Sequence, residues 1–391
     1  MIVEHLSLVD FRNYAQAELE LRPGTNLLVG RNGQGKTNLA EALAYLATLG
    51  SHRVSADAPL VREGRDAAFV RARLAHGSRS VMLELQVNKQ GSNKARISGN
   101  PVRASELPRY AQVVLFAPED LTIVRGDPSS RRRFADQLLI QRTPRLAGVL
   151  ADYDRTLKQR TTLLKSARAR GMKADQLTTL EVWDDKLVSL GSQIIDARSR
   201  LAVDLSDPVA RAYAAIAGAD HAPELAWAQS IAGADPEEGD GSAETPTTNQ
   251  TAEQFRAALQ AKRPQEVERG LTLVGPHRDD LVLRLRGLPV KGYASHGESW
   301  SIALSLRLAS AELLRAESPG GDPILILDDV FAELDAARRS RLADVVAGYE
   351  QVIVTAAVAG DIPDPLRENA VRIEGGEILG SLADHPFEEG S

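Results

Sequence analysis

Gly30-Arg31-Asn32-Gly33-Gln34-Gly35-Lys36-Thr37 meets every fixed position of the pattern G-x-x-x-x-G-K-[ST]. These residue types at this spacing make a phosphate cradle. Glycines let the loop curl until successive backbone N–H groups point at a polyphosphate, which a Cβ would obstruct. Lys36 is placed to reach the β and γ phosphates, and the Thr37 hydroxyl can ligate Mg²⁺. Such a cradle needs a second carboxylate to hold the metal through water. Ile324-Leu325-Ile326-Leu327 running into Asp328-Asp329 has that form. Asp328 is the expected metal residue, and Asp329 can reach past it to polarise an attacking water. An Asp-Asp pair after a strand also serves as a plain loop cap, a reading the P-loop makes the weaker one. Lys36, Asp328 and Asp329 are thus the catalytic candidates, and ATP with Mg²⁺ the expected ligands.

The elements that must position these residues are legible around them. Thr25-Asn26-Leu27-Leu28-Val29 reads as a short buried strand, and Leu39, Ala42, Leu43 and Leu46 recur at helical spacing after the loop. Roughly 290 residues separate Thr37 from Asp328, so the ATP core must close from the two ends of the chain. That is the plan of ATPase heads of the ABC kind, which need a second subunit to complete each nucleotide site. Such heads carry a Ser-x-Gly loop opening a helix, and Ser295-His296-Gly297-Glu298 before Ile302, Leu304, Leu306 and Leu308 has this form. Ser295, Gly297 and Glu298 would then meet a γ-phosphate held by a second copy. A simple helix N-cap is the competing account. Glu333-Leu334-Asp335 is a candidate interface loop, although Asp335 as an N-cap explains it nearly as well.

A chain of 391 residues predicts two or more structural units or a large insertion. No apolar run is long enough to span a membrane, Glu4 and Asp10 argue against a secretory signal, and cysteine is absent. A cytoplasmic protein without a membrane partner is expected. Net charge is −6, so a nucleic-acid partner must be argued from where the basic residues lie. Between Arg125 and Asp175 there are thirteen Lys or Arg against five acids. Arg155, Arg160, Lys165, Arg168 and Arg170 in this stripe are the candidate DNA contacts. A solvated face with internal ion pairs is the alternative. Aromatic residues are only 4% of the chain, which favours backbone binding to duplex or junction DNA over base stacking. Around this stripe, 134–205 reads as a pair of long helices and 233–253 as a flexible acidic loop. Strands are expected at 271–275 and 281–285, and a helix at 299–317.

Phe11-Arg12-Asn13-Tyr14, Pro118-Glu119-Asp120-Leu121 through Arg131-Arg132-Arg133-Phe134, Gly275-Pro276-His277-Arg278-Asp279-Asp280 and Asp328-Asp329-Val330-Phe331-Ala332-Glu333-Leu334-Asp335 closely resemble segments of the RecF family. The resemblance implies an α/β fold: an SMC/ABC-type P-loop ATPase head formed from both chain ends, with a mostly helical inserted arm. The expected boundaries are 1–139 and 270–391 for the head and 140–269 for the arm. It also implies ATP-driven homodimerisation, weak DNA-stimulated ATP hydrolysis, and work with RecO and RecR in loading RecA at gapped DNA during the SOS response. By resemblance only, Arg12 contacts phosphate in cis. Two departures bear on hydrolysis: Glu298 stands where the family more often has Gln, and Thr355-Ala356-Ala357 ends a strand where transporter ATPases carry a switch His. Asp329 also stands where most ABC ATPases have Glu, and a side chain one methylene shorter predicts slow turnover. Arg131 to Arg133 could serve DNA or the head itself, and His277 a structural or ATP-interface role. A transporter ATPase subunit and a DNA-binding protein with a non-controlling ATP site are the alternative functions. A GTPase is disfavoured because Asn88-Lys89-Gln90-Gly91 ends in Gly rather than Asp.

Overall fold

Helical and strand periodicities alternate along the chain, and the computed structural model resolves them into two compact units built around separate cores. It describes residues 1–77, 79–173, 176–177, 179–233, 248–318 and 320–382. Contacts divide the chain into unit 1 (Met1–Leu121, Arg211–Ala219, Trp300–Ser391) and unit 2 (Thr122–Ala210, Asp220–Ser299).

Unit 1 holds two six-stranded sheets. The first is antiparallel throughout and runs β2-β1-β4-β5-β6-β7, with β1 Ile2–Phe11, β2 Tyr14–Glu20, β4 Ala67–His76, β5 Arg79–Asn88, β6 Lys94–Ile97 and β7 Asn100–Val102. Alternation sets its register: Val70, Ala72 and Leu74 of β4 are buried, while Arg71 and Arg73 face outward. The second sheet contains β3 Gly24–Val29, β8 Val113–Phe116, β12 Ile324–Asp328, β13 Gln351–Ala356, β14 Ala370–Glu374 and β15 Glu377–Ser381. Its order is β15-β14-β3-β13-β12-β8, parallel except for β15. Every residue of β12 is buried, as a central parallel strand requires. Helix α1, Lys36–Thr48, is buried on nearly every side, from Leu39 to Ala47, because it lies in a core shared by residues of both sheets.

Unit 2 is mostly helical. Its elements are α2 Pro128–Arg142, α3 Leu146–Ala169, most of α4 Leu180–Ala217, α5 Thr248–Arg269 and a small antiparallel sheet, β11-β10-β9. These strands are β9 Glu224–Ala228, β10 Asp280–Leu285 and β11 Leu288–Pro289. Tyr153, Leu187, Ile194, Phe255 and Leu259 form its main core. Two further long helices are α6 His296–Glu317 and α7 Ala336–Val346.

Several expectations need correction. The stretch 134–205 contains parts of three helices rather than a pair. Leu271 to Gly275 forms no strand, because its backbone groups are taken by side chains: Glu266 accepts from the Leu273 N–H, and the Thr272 carbonyl accepts from His277 and Arg278. Of the acidic loop 233–253, residues 234–247 lie outside the described residues, and α5 already begins at Thr248. The boundaries at 139 and 270 differ from those drawn by contacts, which place α2 and the Gly275–Asp280 segment together in unit 2. The reason is chemical: Arg131 forks onto Asp280 at 2.6 and 2.9 Å, and Arg132 donates to the Asp279 carbonyl at 2.7 Å.

Candidate nucleotide-binding site

The loop between β3 and α1 is drawn tight by its glycines. A Cβ on Gly30 would overlap the carbonyl oxygen of Ile373, and one on Gly35, whose φ is +117°, would come within 2.6 Å of the Tyr14 hydroxyl. Gln34 ties the loop to the β14–β15 turn by accepting from the Gly376 N–H at 3.1 Å. No side chain caps α1 at Gly35; its carbonyl accepts from the Asn38 N–H at 2.9 Å and the Leu39 N–H at 3.2 Å, and the helix starts at the cavity that Lys36 and Thr37 line. The surrounding cavity measures about 230 Å³ and is lined by loop residues together with Arg53 and Asp329.

Lys36 is buried and donates its ammonium to two carbonyls, Gly30 at 2.7 Å and Arg31 at 3.2 Å. Burial pulls its pKa down, partly offset by Asp329 and Asp328. At the end of β12, Asp328 accepts at Oδ1 from the Thr37 hydroxyl at 3.1 Å and from the Thr355 hydroxyl at 2.7 Å. Burial is the main reason its carboxyl is pushed up to about 6; the two hydroxyls oppose the shift and Asp329 adds to it. Asp329 follows in a left-handed conformation, φ +52°, with its N–H donating to Thr355 at 2.9 Å. Oxygen atoms from chain positions 291 residues apart therefore meet at Thr37, which lines the cavity. A hydroxyl beside a carboxylate is a donor set that suits Mg²⁺, a hard cation.

Ser295 and Glu298 form a reciprocal capping box at the start of α6: the Ser295 hydroxyl accepts from the Glu298 N–H at 3.2 Å, and Glu298 accepts from the Ser295 N–H at 2.9 Å. Glu298 also takes Arg286 at 2.5 Å; the Ser295 N–H leads the causes that bring its carboxyl down to about 2. Ser295 is exposed and Gly297 partly so.

The chain is similar to known proteins over nearly its whole length. A family model described as the RecF/RecN/SMC N terminal domain matches residues 2–367. The DNA replication and repair protein RecF of Clavibacter sepedonicus is 60% identical over 389 residues, covering 97% of this chain and 95% of that protein. The chain belongs to the RecF family. Among solved structures, the recombination mediator protein RecF-ATP in the RecFOR pathway superposes with a TM-score of 0.85 at 27% identity, covering 97% of each chain. The Smc head domain of Pyrococcus furiosus, at a TM-score of 0.52 and 15% identity, shares the fold, and the SMC/ABC-type head is thereby established.

Against this RecF framework the other expected residues fall unevenly. Arg12 does not line the cavity. Its Nε and Nη2 fork onto the buried Glu41 of α1 at 2.8 and 2.6 Å and its Nη1 donates to the Pro59 carbonyl at 3.0 Å, so the guanidinium is occupied in anchoring α1. Arg53, which belongs to none of the motifs, stands at the cavity instead and donates to Asn38 at 2.8 Å. The available signal is a basic residue in the turn just after the P-loop helix. Thr355 draws notice in the sequence only as part of the Thr355-Ala356-Ala357 segment that lacks a switch His; the signal there is a lone hydroxyl in the apolar run from Val352 to Ala356.

Asp335 caps α7, accepting from the Arg338 N–H at 2.9 Å, and Glu333 is exposed. In the basic stripe, Arg155, Lys165, Arg168 and Arg170 are exposed. Arg160 is not, which corrects its assignment to DNA. It has no exposed surface and donates to Asp184 at 2.7 Å, Glu266 at 2.6 Å and Thr272 at 2.9 Å, joining α3, α4 and α5. His277 is half-buried. Its Nδ1 meets the Tyr153 hydroxyl at 2.8 Å, and burial brings its pKa down to about 3. Both are parts of the scaffold of unit 2.

Proposed function

We propose that this RecF-family chain is an ATP-controlled DNA-binding switch of recombinational repair and replication. The loop Gly30–Thr37 holds the ATP phosphates, with Lys36 leaving its two carbonyls for the β and γ oxygens. Thr37 and Asp328 hold Mg²⁺, which when bound would neutralise charge developing on the transferred phosphoryl group. Asp329 orients the attacking water, and its short side chain keeps turnover slow. Ser295 and Gly297 of a second copy present a hydroxyl and helix N–H groups to the γ-phosphate, so ATP pairs two heads, with Glu333 and Asp335 flanking the join. Exposed Lys165, Arg168, Arg170 and Arg155 contact DNA phosphates. By family, the switch helps RecO and RecR load RecA at gapped DNA in the cytoplasm as part of the SOS response.

One observation carries this reading. The Thr37 hydroxyl and the Asp328 carboxylate, from opposite ends of the chain, meet at 3.1 Å beside a buried lysine whose ammonium donates to two backbone carbonyls. The names of the relatives support it, as does the likeness to RecF-ATP. Light scattering tests it: mass should double with ATP and Mg²⁺, and stay monomeric in Lys36→Ala. A constant monomer under all conditions overturns the switch. For DNA, Lys165→Ala with Arg170→Ala should reduce the salt slope of affinity by about 2; an unchanged slope removes this face from the interface.

A further inference from the structure

We infer that Thr355 is a positioning residue for the Asp328–Asp329 pair, one hydroxyl fixing where both carboxylates stand. A hydroxyl has one proton and two lone pairs. At Thr355 the proton goes to Asp328 Oδ1 at 2.7 Å, and a lone pair receives the Asp329 N–H at 2.9 Å. The side chain has no exposed surface and sits on β13 directly beside Asp328 of β12, so it cannot turn to another partner. The second bond closes over the residue whose φ is +52°, a conformation that aims the Asp329 side chain out of line with β12 and toward the cavity it lines. Thr37 also donates to the same Oδ1 of Asp328. On the function proposed above, Thr37 serves the cation when nucleotide is bound. Thr355 is then the hydroxyl that keeps Asp328 facing it.

The test compares Thr355→Val, which keeps the shape and loses the hydroxyl, with Thr355→Ser, which keeps the hydroxyl. Two readouts are taken: affinity for a fluorescent ATP analogue in EDTA and across a Mg²⁺ titration, and steady-state kcat and KM for ATP. Val should leave Mg²⁺-free affinity within about threefold of wild type, raise the half-saturating Mg²⁺ about tenfold, and lower kcat by about ten- to a hundredfold with KM little changed. Ser should restore both. A Val variant with wild-type Mg²⁺ response and kcat overturns the inference, as does a Ser variant as impaired as Val, or loss of affinity already in EDTA. If Val does not fold, Thr355→Ala is read against Ser by the same criteria. A wild type that binds no nucleotide with Mg²⁺ sinks the proposed function itself; a responsive wild type matched by Val sinks only the role of Thr355.

Discussion

Buried charge is handled one way by the arginines of unit 2 and another way at the nucleotide loop of unit 1. In unit 2 each buried arginine is matched by carboxylates: Arg160 by Asp184 and Glu266, Arg198 by Asp136, Arg131 by Asp280. At that loop the buried cation and the buried anion each hydrogen-bond to neutral groups. Lys36 has carbonyls and Asp328 has hydroxyls, although the two belong to one site. A closed ion pair satisfies itself and resists rearrangement, whereas a charge resting on dipoles gains by exchanging them for a charged ligand. The same chemistry thus separates scaffold from site.

The sharpest way to break this contrast is to remove one side of a closed pair. Arg160→Leu leaves Glu266 and Asp184 buried without their shared cation and should cost about 3–5 kcal/mol, read as a lower urea midpoint. Lys36→Ala should do the reverse: nucleotide affinity falls about a hundredfold, while unfolding free energy moves by no more than about 0.5 kcal/mol, because only carbonyl bonds and a desolvated charge are lost. If Lys36→Ala destabilises as strongly as Arg160→Leu, the distinction fails.

Smaller effects refine it. The pKa of His277 is about 3 in the fold against an ordinary 6.5, so below pH 6.5 the unfolded chain takes up a proton that the folded chain refuses. Its contribution is intact above pH 6.5 and is lost on acidification by about 1.4 kcal/mol per pH unit until pH approaches 3. His277→Gln should therefore gain on wild type between pH 7 and pH 5 in denaturant titrations. A constant gap would place the shift elsewhere. Asp335→Ala removes the cap of α7 and should cost about 1 kcal/mol. If ATP-dependent mass doubling also weakens, Asp335 serves the interface beyond its cap.

What can be read in advance follows the same division. The P-loop is legible because its glycines answer to local geometry, and β12 because four consecutive aliphatics ending in carboxylates suit a central strand. Partners are not legible. Charge alone marks the stripe containing Arg160, but Asp184 and Glu266 lie 24 and 106 residues away, and only the fold brings them in. Leu271 to Gly275 shows how side-chain partners can satisfy a segment that reads as a strand. The partner of Arg12 is hidden in the same way, since Glu41 lies 29 residues away on the adjoining helix.

The strand order of the second sheet also bears on how the protein is made. Among the described residues, β3, which leads into the P-loop, pairs only with β13 and β14, and β8 pairs only with β12. On the ribosome, Leu27, Leu28 and Val29 emerge long before Gln351 opens β13, an interval on the order of tens of seconds at ordinary rates of synthesis. Both edges of the P-loop strand stay bare for that time, a standing invitation to chaperones or to the late strands of a neighbouring nascent chain. The nucleotide site is assembled among the last parts of the molecule, and a truncated product lacking β12 and β13 has a phosphate loop with no carboxylate beneath it.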